Sequence, residues 1–203
     1  MFLKGLFLGA LALAAIGQAY AASPEDCARI TTDAERLACY DLQFKASVSP
    51  VPQAPESKWV VQEQVSKIDD SKNVFLRLTS SEPITDRLGQ PSDLVLWIAC
   101  RERKTNLWIH FGGQFMADLN GGGEVTYRID KAAAKTRSFE ESNNNEALGL
   151  WNGIPAIAFI RELFGGTTLL IRATPFNENS ITAELPIAGL EEAIKPLREA
   201  CRW

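Results

Sequence analysis

Two cysteines twelve positions apart in "CARITTDAERLACYDLQF", residues 27 to 44, constrain this chain more than any other feature. The stretch reads as helix throughout. One straight helix rises about 1.5 Å per residue and would hold the two sulfurs roughly 18 Å apart, whereas a disulfide needs Cα atoms within about 7 Å. Either Cys27 and Cys39 are free thiols on one rod, or the chain doubles back between them. Two helix starts decide the matter. Ser23-Pro24-Glu25-Asp26 offers an N-cap serine, a proline at the first helical position and acids in the first turn. Nine residues on, Thr32-Asp33-Ala34-Glu35 fits a capping box, and the β-branched pair Thr31-Thr32 marks the break. The spacing therefore predicts a helical hairpin over 22–45 in which Cys27 approaches Cys39. Its second helix carries Leu37, Tyr40 and Phe44 on one narrow apolar stripe. Helices this short do not bury a core alone, so a disulfide closing a loop of about 13 residues, worth roughly 3 kcal/mol in the chain-entropy model, would hold them. The stripe must then rest on the remainder of the chain or on a partner.

Whether the sulfurs pair depends on the compartment. "MFLKGLFLGALALAAIGQAYAA" has one charge, Lys4, then an apolar run from Leu6 to Ile16, then Ala19-Tyr20-Ala21 in the A-x-A cleavage pattern. That is a signal peptide over 1–21, and it predicts export to the periplasm. The apolar core is too short to span a bilayer of about 30 Å, and no later segment is apolar enough to do so. Cleavage leaves 203 − 21 = 182 residues, enough for one sizeable core, and loss of Lys4 takes the net charge from −4 to −5. A mildly acidic chain with no basic run of five excludes nucleic acid and anionic lipid as expected partners. All four cysteines, Cys27, Cys39, Cys100 and Cys201, lie beyond the cleavage point. An even number in an oxidising compartment reads as two disulfides. A metal site would need ligands that one histidine and no C-x-x-C do not supply, so no metal and no other cofactor is expected. Locality favours Cys27–Cys39 with Cys100–Cys201; the other two connectivities, which would tie the hairpin to the body, stay open at this point.

"ASVSPVPQAPES" carries three prolines and predicts a semi-extended linker over 46–57. From 58 to 203 the pattern turns to period two. "WVVQEQVSKI" and "NVFLRLTS", joined by "DDSK", read as a strand hairpin. "DLVLWIAC" reads as a central strand buried on both faces, and polar "RERKTN" as the turn into "LWIHF". "EVTYRID", "TTLLIRAT" and "NSITAELPI" complete the strands. Two helices are expected. "NGIPAIAFIREL" puts Ile157, Ile160 and Phe164 on one stripe with Asn152 as cap, and "AGLEEAIKPLREAC" should kink or start late at Pro196. The expected architecture is an α+β domain built on an antiparallel sheet or sandwich, preceded by the stapled hairpin.

Catalytic machinery is hard to assemble. His110 is the only histidine and no G-x-S-x-G surrounds a serine. The glycines of "FGGQFMADLNGGGEV" lack the lysine and Ser/Thr of a phosphate loop and read as a turn. Asp69-Asp70, Glu140-Glu141 and Glu191-Glu192 fit turns and helix starts. His110 reads as a half-exposed strand residue on the side of Trp108, and Trp59 and Trp97 read as packing, Trp97 as core, rather than as a sugar platform. Arg128 and Asp130 lie two apart on the polar face of "VTYRID". With Tyr127 they form a candidate partner-binding group on the body, beside Leu37, Tyr40 and Phe44 on the hairpin.

The ordered set "CARI…ERLACYD", "VFLRL", "LWIACR", "VTYRID" and the closing "GLEEAIKPLREACRW" resembles the VasI/TagO family of type VI secretion-associated proteins, over almost the whole mature chain. Cys100, Cys201 and "VTYRID" coincide with the family's pattern; Phe139 in "TRSFEES" stands where a tryptophan is expected. The resemblance implies a periplasmic accessory protein of a contractile secretion apparatus, with no catalytic residues to carry over. The expected function is therefore non-enzymatic binding of an envelope or secretion-apparatus protein. The competing expectations are a peptidoglycan- or carbohydrate-binding module, a cell-wall enzyme, or an inhibitor that plugs an envelope enzyme's cleft with the glycine-rich loop.

Overall fold

The computed structural model describes residues 23–45, 57–117 and 122–203. The expected signal peptide, most of the expected linker, and Asp118 to Gly121 of the glycine-rich loop lie outside the described residues. The chain divides into two compact units between Gln53 and Ala54.

The first unit is a helical hairpin of α1 (Pro24–Ala28) and α2 (Asp33–Lys45). Cys27 and Cys39 are bonded, with Cα atoms 5.6 Å apart, and Cys27 is fully buried. At the first cap the Ser23 amide donates to Asp26 Oδ2 at 3.0 Å. The second start differs from the expected Thr32–Glu35 box. Arg36 anchors it instead, donating to the Ile30 carbonyl at 3.0 Å and pairing with Asp33. A guanidinium reaches back across the turn where the glutamate was expected to cap it.

The second unit is an antiparallel sheet with short helices against its inner face. Its strands are β1 (Val60–Val65), β2 (Lys72–Thr79), β3 (Ile84–Thr85), β4 (Pro91–Ser92), β5 (Leu94–Arg101), β6 (Lys104–Phe111), β7 (Gly122–Ile129), β8 (Lys135–Glu141), β9 (Ala147–Leu150), β10 (Leu169–Ala173) and β11 (Ile181–Leu185). Among the described residues nine form one sheet in the order β1-β2-β5-β6-β9-β8-β7-β10-β11, and β3 pairs with β4 alone. Alternation places Val74, Leu76 and Leu78 of β2 and Val125 and Tyr127 of β7 inside, as the period-two pattern requires.

The β1–β2 turn ends in a bulge. The Asp70 amide donates to the Ser66 carbonyl at 3.0 Å, the Ser66 amide to the Ser71 carbonyl at 2.8 Å, and Asp70 takes a φ of 52°. The expected loop "RERKTN" is shorter than its polarity suggests. Arg101 pairs with Lys104 across Glu102 and Arg103, whose φ values of 50° and 60° make a two-residue hairpin turn. β8 and β9 were not expected. β8 has Arg137 at an inner position and one buried aromatic, Phe139, so no apolar alternation marks it; β9 is four buried residues, too short to show a period.

Helix α3 (Ile154–Glu162) starts at Gly153 with a φ of 45°, not at Asn152. Its buried stripe is Ala156, Phe159, Ile160 and Leu163, rotated from the expected one by the rings of Tyr127 and Phe139, which grip Phe159 edge-on at 4.9 and 5.6 Å. The C-terminal helix breaks as expected. α4 (Leu190–Ala193) and α5 (Lys195–Cys201) meet at Ile194, and Pro196 sits in the first turn of α5, where its missing N–H costs nothing. Helix α5 packs on β2 and β5, and Cys201 is bonded to Cys100 at the end of β5, with Cα atoms 5.8 Å apart. Trp203 follows through Arg202, which is left-handed at a φ of 57°. Its indole N–H donates to Thr105 Oγ1 at 2.8 Å, and the guanidiniums of Arg161 and Arg198 lie 5.6 and 5.3 Å from its ring centre.

Candidate functional site

The body's candidate residues separate. Tyr127 is not on the surface: it is 4% exposed, and its hydroxyl donates to Glu162 Oε2 at 2.9 Å. Lys135 Nζ donates to the same oxygen at 2.8 Å, and Arg137 Nη1 lies 3.8 Å from Oε1. Burial, then the bond to Glu162, raises the Tyr127 phenol above its ordinary range. Burial pushes the Glu162 carboxyl up, but the bonds from Lys135 and Tyr127 and the Arg137 charge outweigh it and hold the group below its usual value. This cluster fixes α3 to β7 and β8. The strand period that puts Arg128 outside necessarily puts Tyr127 inside.

Asp130 is likewise structural. With a φ of 48° just past β7, its carboxylate accepts from the Thr167 hydroxyl at 2.6 Å, the Thr168 amide at 2.9 Å and the Thr167 amide at 3.1 Å. Those bonds, the Thr167 hydroxyl first, hold its carboxyl below the ordinary range. Arg128 and Asp130 are both exposed, but the Asp130 carboxylate is taken up by Thr167 and Thr168 while the Arg128 guanidinium is not. Arg128 lines a depression of about 160 Å³ with Thr126, Ala134, Leu170, Arg172 and Thr182. Arg172 is cross-strand neighbour to Thr126 and Thr182, and Arg128 to Leu170, so the two guanidiniums stand diagonally on adjacent strands. Neither has an ion-pair partner among the described residues.

A second surface escaped the sequence reading. Trp97 is not core: it projects from the outer face of β5, directly opposite Trp108 of β6. Their rings stack at 5.8 Å and 10°, and Trp108 stacks on Trp151 at 5.9 Å and 27°. Gly149, the β9 neighbour of Trp108, makes room for the third indole. A Cβ on Gly149 would come within 2.4 Å of the Trp151 ring. The Trp151 N–H donates to the Glu140 carbonyl at 3.3 Å. His110 stands half-buried on the same face, its Nε2 3.5 Å from Glu146 Oε2. The three half-buried indoles run across β5, β6 and β9. The two-residue turn at Glu102-Arg103 was the available signal: it places residues 97 and 108 side by side.

On the hairpin, Leu37 and Phe44 are 64% and 55% exposed, and the Tyr40 and Phe44 rings stack at 6.2 Å. The stripe read from the sequence is thus present on α2 and faces outward within its own unit.

These features define a class: a twice disulfide-bonded, antiparallel α+β protein, suited to the oxidising conditions of a secreted or envelope location. No helix among the described residues is long and apolar enough to cross a membrane. The family model described as type VI secretion system VasI, EvfG, VC_A0118 matches residues 26–203. The chain belongs to the VasI family of type VI secretion system proteins. No curated protein sequence matches it significantly. Among solved structures it is similar to the crystal structure of invasion associated protein b from Bartonella henselae, with a TM-score of 0.44 and 10% identity over 71% of this chain and 93% of that one.

Proposed function

We propose that this protein is a non-enzymatic periplasmic accessory factor of a type VI secretion system, exported by a cleaved signal peptide, and that it binds an envelope or secretion-apparatus protein through its hairpin. The observation that carries this reading is the stripe of Leu37, Tyr40 and Phe44, held in shape by the Cys27–Cys39 bond while its apolar side chains stay outside. A disulfide that fixes a short helix with an unburied stripe suits an element made for contact rather than for a core. Arg128, facing solvent on the body, is the second candidate contact.

The test is genetic. A strain lacking the protein is complemented with the wild-type chain or with Leu37→Ser/Phe44→Ser, and material secreted by the apparatus is measured. Loss of secretion in the deletion, restored by wild type but not by the double variant at equal abundance, supports the reading. Unchanged secretion in the deletion defeats it.

A second reading rests on the indole row. Trp97, Trp108 and Trp151 supply the aromatic surface on which sugar rings stack, so the alternative is a glycan-binding module. Sedimentation with purified peptidoglycan distinguishes the two: retention that Trp108→Ala abolishes favours the glycan.

A further inference from the structure

The two edges of the large sheet are treated differently. Along β11, the Ser81 amide donates to the Glu184 carbonyl at 2.8 Å, so the segment leading to β3 meets that edge at Glu184. Strand β1 lies at the other end of the sheet with β2 as its neighbour. All six of its residues are exposed, including Val61 at 37% and Val65 at 67%.

The hydrogen-bond parity of β1 follows from two contacts. Ser66 N bonds to Ser71 O at one end of the β1–β2 hairpin, and Ser80 N bonds to Leu94 O between β2 and β5. Antiparallel ladders alternate bonded and non-bonded pairs. Given the registers, Val60, Gln62 and Gln64 therefore bond to β2, while Val74, Leu76 and Leu78 bond to β5. Val61, Glu63 and Val65 turn their amides and carbonyls to the open edge, where no described residue of the same unit hydrogen-bonds to them. Natural edges are usually blunted by proline, charged or inward-pointing charged side chains, a bulge or extreme shortness. Val60–Val65 holds no proline, no lysine and no bulge, and its one inward charge, Glu63 opposite Val74, is paired with Lys72 Nζ at 2.7 Å.

Residues 61 to 65 read Val-Gln-Glu-Gln-Val, the same in both directions. A strand added by a two-fold axis runs antiparallel and must be complementary to itself. With the axis through Glu63, Val61 meets Val65 of the second copy and Gln62 meets Gln64. The three outward residues then form about six inter-chain hydrogen bonds in three bonded pairs. Val61 and Val65 lie on the core side, opposite Leu76 and Lys72, so pairing covers apolar surface that the monomer leaves open. One like-charge contact results, Glu63 against Glu63, and each carboxylate already has Lys72 Nζ at 2.7 Å. We infer that β1 pairs with β1 of a second copy, joining two sheets edge to edge into a symmetric dimer.

Sedimentation equilibrium of the chain with its disulfides intact, across the micromolar range, tests this. A concentration-dependent monomer–dimer equilibrium is expected. Glu63→Pro removes an outward N–H and no bond to β2, and should weaken the dimer by about tenfold or more. Val65→Glu keeps a lysine opposite it in the monomer, sets a carboxylate against Val61 of the second copy, and should weaken it too. Glu63→Gln removes the like-charge contact and should tighten it by a few fold, on the order expected for one cross-strand pair. A monomer at every concentration overturns the inference, as does a dimer indifferent to both weakening variants. A monomer whose Val61, Glu63 and Val65 amides resist hydrogen exchange would mean that another part of the chain covers the edge, and overturns it as well.

Discussion

The hairpin and the body each carry one disulfide, but the bonds do different work. Cys27–Cys39 joins residues 12 apart in sequence, Cys100–Cys201 residues 101 apart. Chain entropy assigns the longer loop the larger stabilisation, about 4.7 against about 3 kcal/mol. Dependence runs the other way. In the hairpin Cys27 is a rare buried side chain, and Leu37, Leu42 and Phe44 are all exposed. The body buries an inner layer that runs from Val74 to Leu197, with Phe111, Met116 and Phe159 among its largest members. Where there is no core, a covalent bond is the fold. Where there is one, the bond adds to it.

The largest effect should follow from breaking the smaller loop. Cys27→Ser/Cys39→Ser is expected to abolish helix over residues 24 to 45 while amide resonances of the body stay in place. Persistent hairpin resonances would mean that something besides sulfur holds it, and the contrast between the units fails. Next comes Cys100→Ala/Cys201→Ala. The body should still fold cooperatively, with unfolding free energy lower by about 3–5 kcal/mol in urea; an unfolded chain would place the body in the hairpin's class. A smaller loss should come from Gly149→Ala, whose methyl must displace the Trp151 ring, at about 1–3 kcal/mol. That measures how tightly the body's outer face is packed, where the hairpin has nothing comparable.

The smallest effect concerns acid. Asp130 has its carboxyl depressed by Thr167 and Thr168. A depressed carboxylate contributes stability that is complete above its ordinary value of 3.8 and is lost as pH falls through its lower folded value. Protection of the Thr167 and Thr168 amides, taken relative to the intrinsic exchange rate at each pH, should therefore hold through neutral and mildly acidic pH and fall only below about pH 4. Loss of protection near pH 6 would show that another group holds this turn.

Much of the frame was legible because strand period and helix punctuation are local signals. Strands β2, β5, β7, β10 and β11 show their alternation or their buried run, and Pro196 announces the break before α5. The hairpin was legible from two helix-start signals, although the second start is anchored by Arg36 and not by the Thr32–Glu35 box. What escaped depends on neighbours. Trp97 sits in an apolar run that reads as buried on both faces, yet it finds its cover in Trp108, a residue of the next strand. Helix α3 turned its stripe to meet rings on β7 and β8, and β8 itself places an arginine inward because Glu162 and Phe159 accommodate it. Of the candidate contacts, Leu37, Phe44, Arg128 and Asp130 are exposed and Tyr40 is half-buried, though Asp130 already gives its carboxylate to Thr167 and Thr168. Tyr127 was named beside Arg128 even though the same alternation sends it to the interior.

All five tryptophans, at 59, 97, 108, 151 and 203, belong to the body, and the hairpin between Ser23 and Lys45 has none. Excitation at the red edge of the indole band, beyond the absorption of Tyr40, therefore addresses one unit and leaves the other dark. Electronic coupling among the three stacked indoles gives the central sheet an optical signature of its own. Melting of the sheet can be followed without a label and without a contribution from the hairpin.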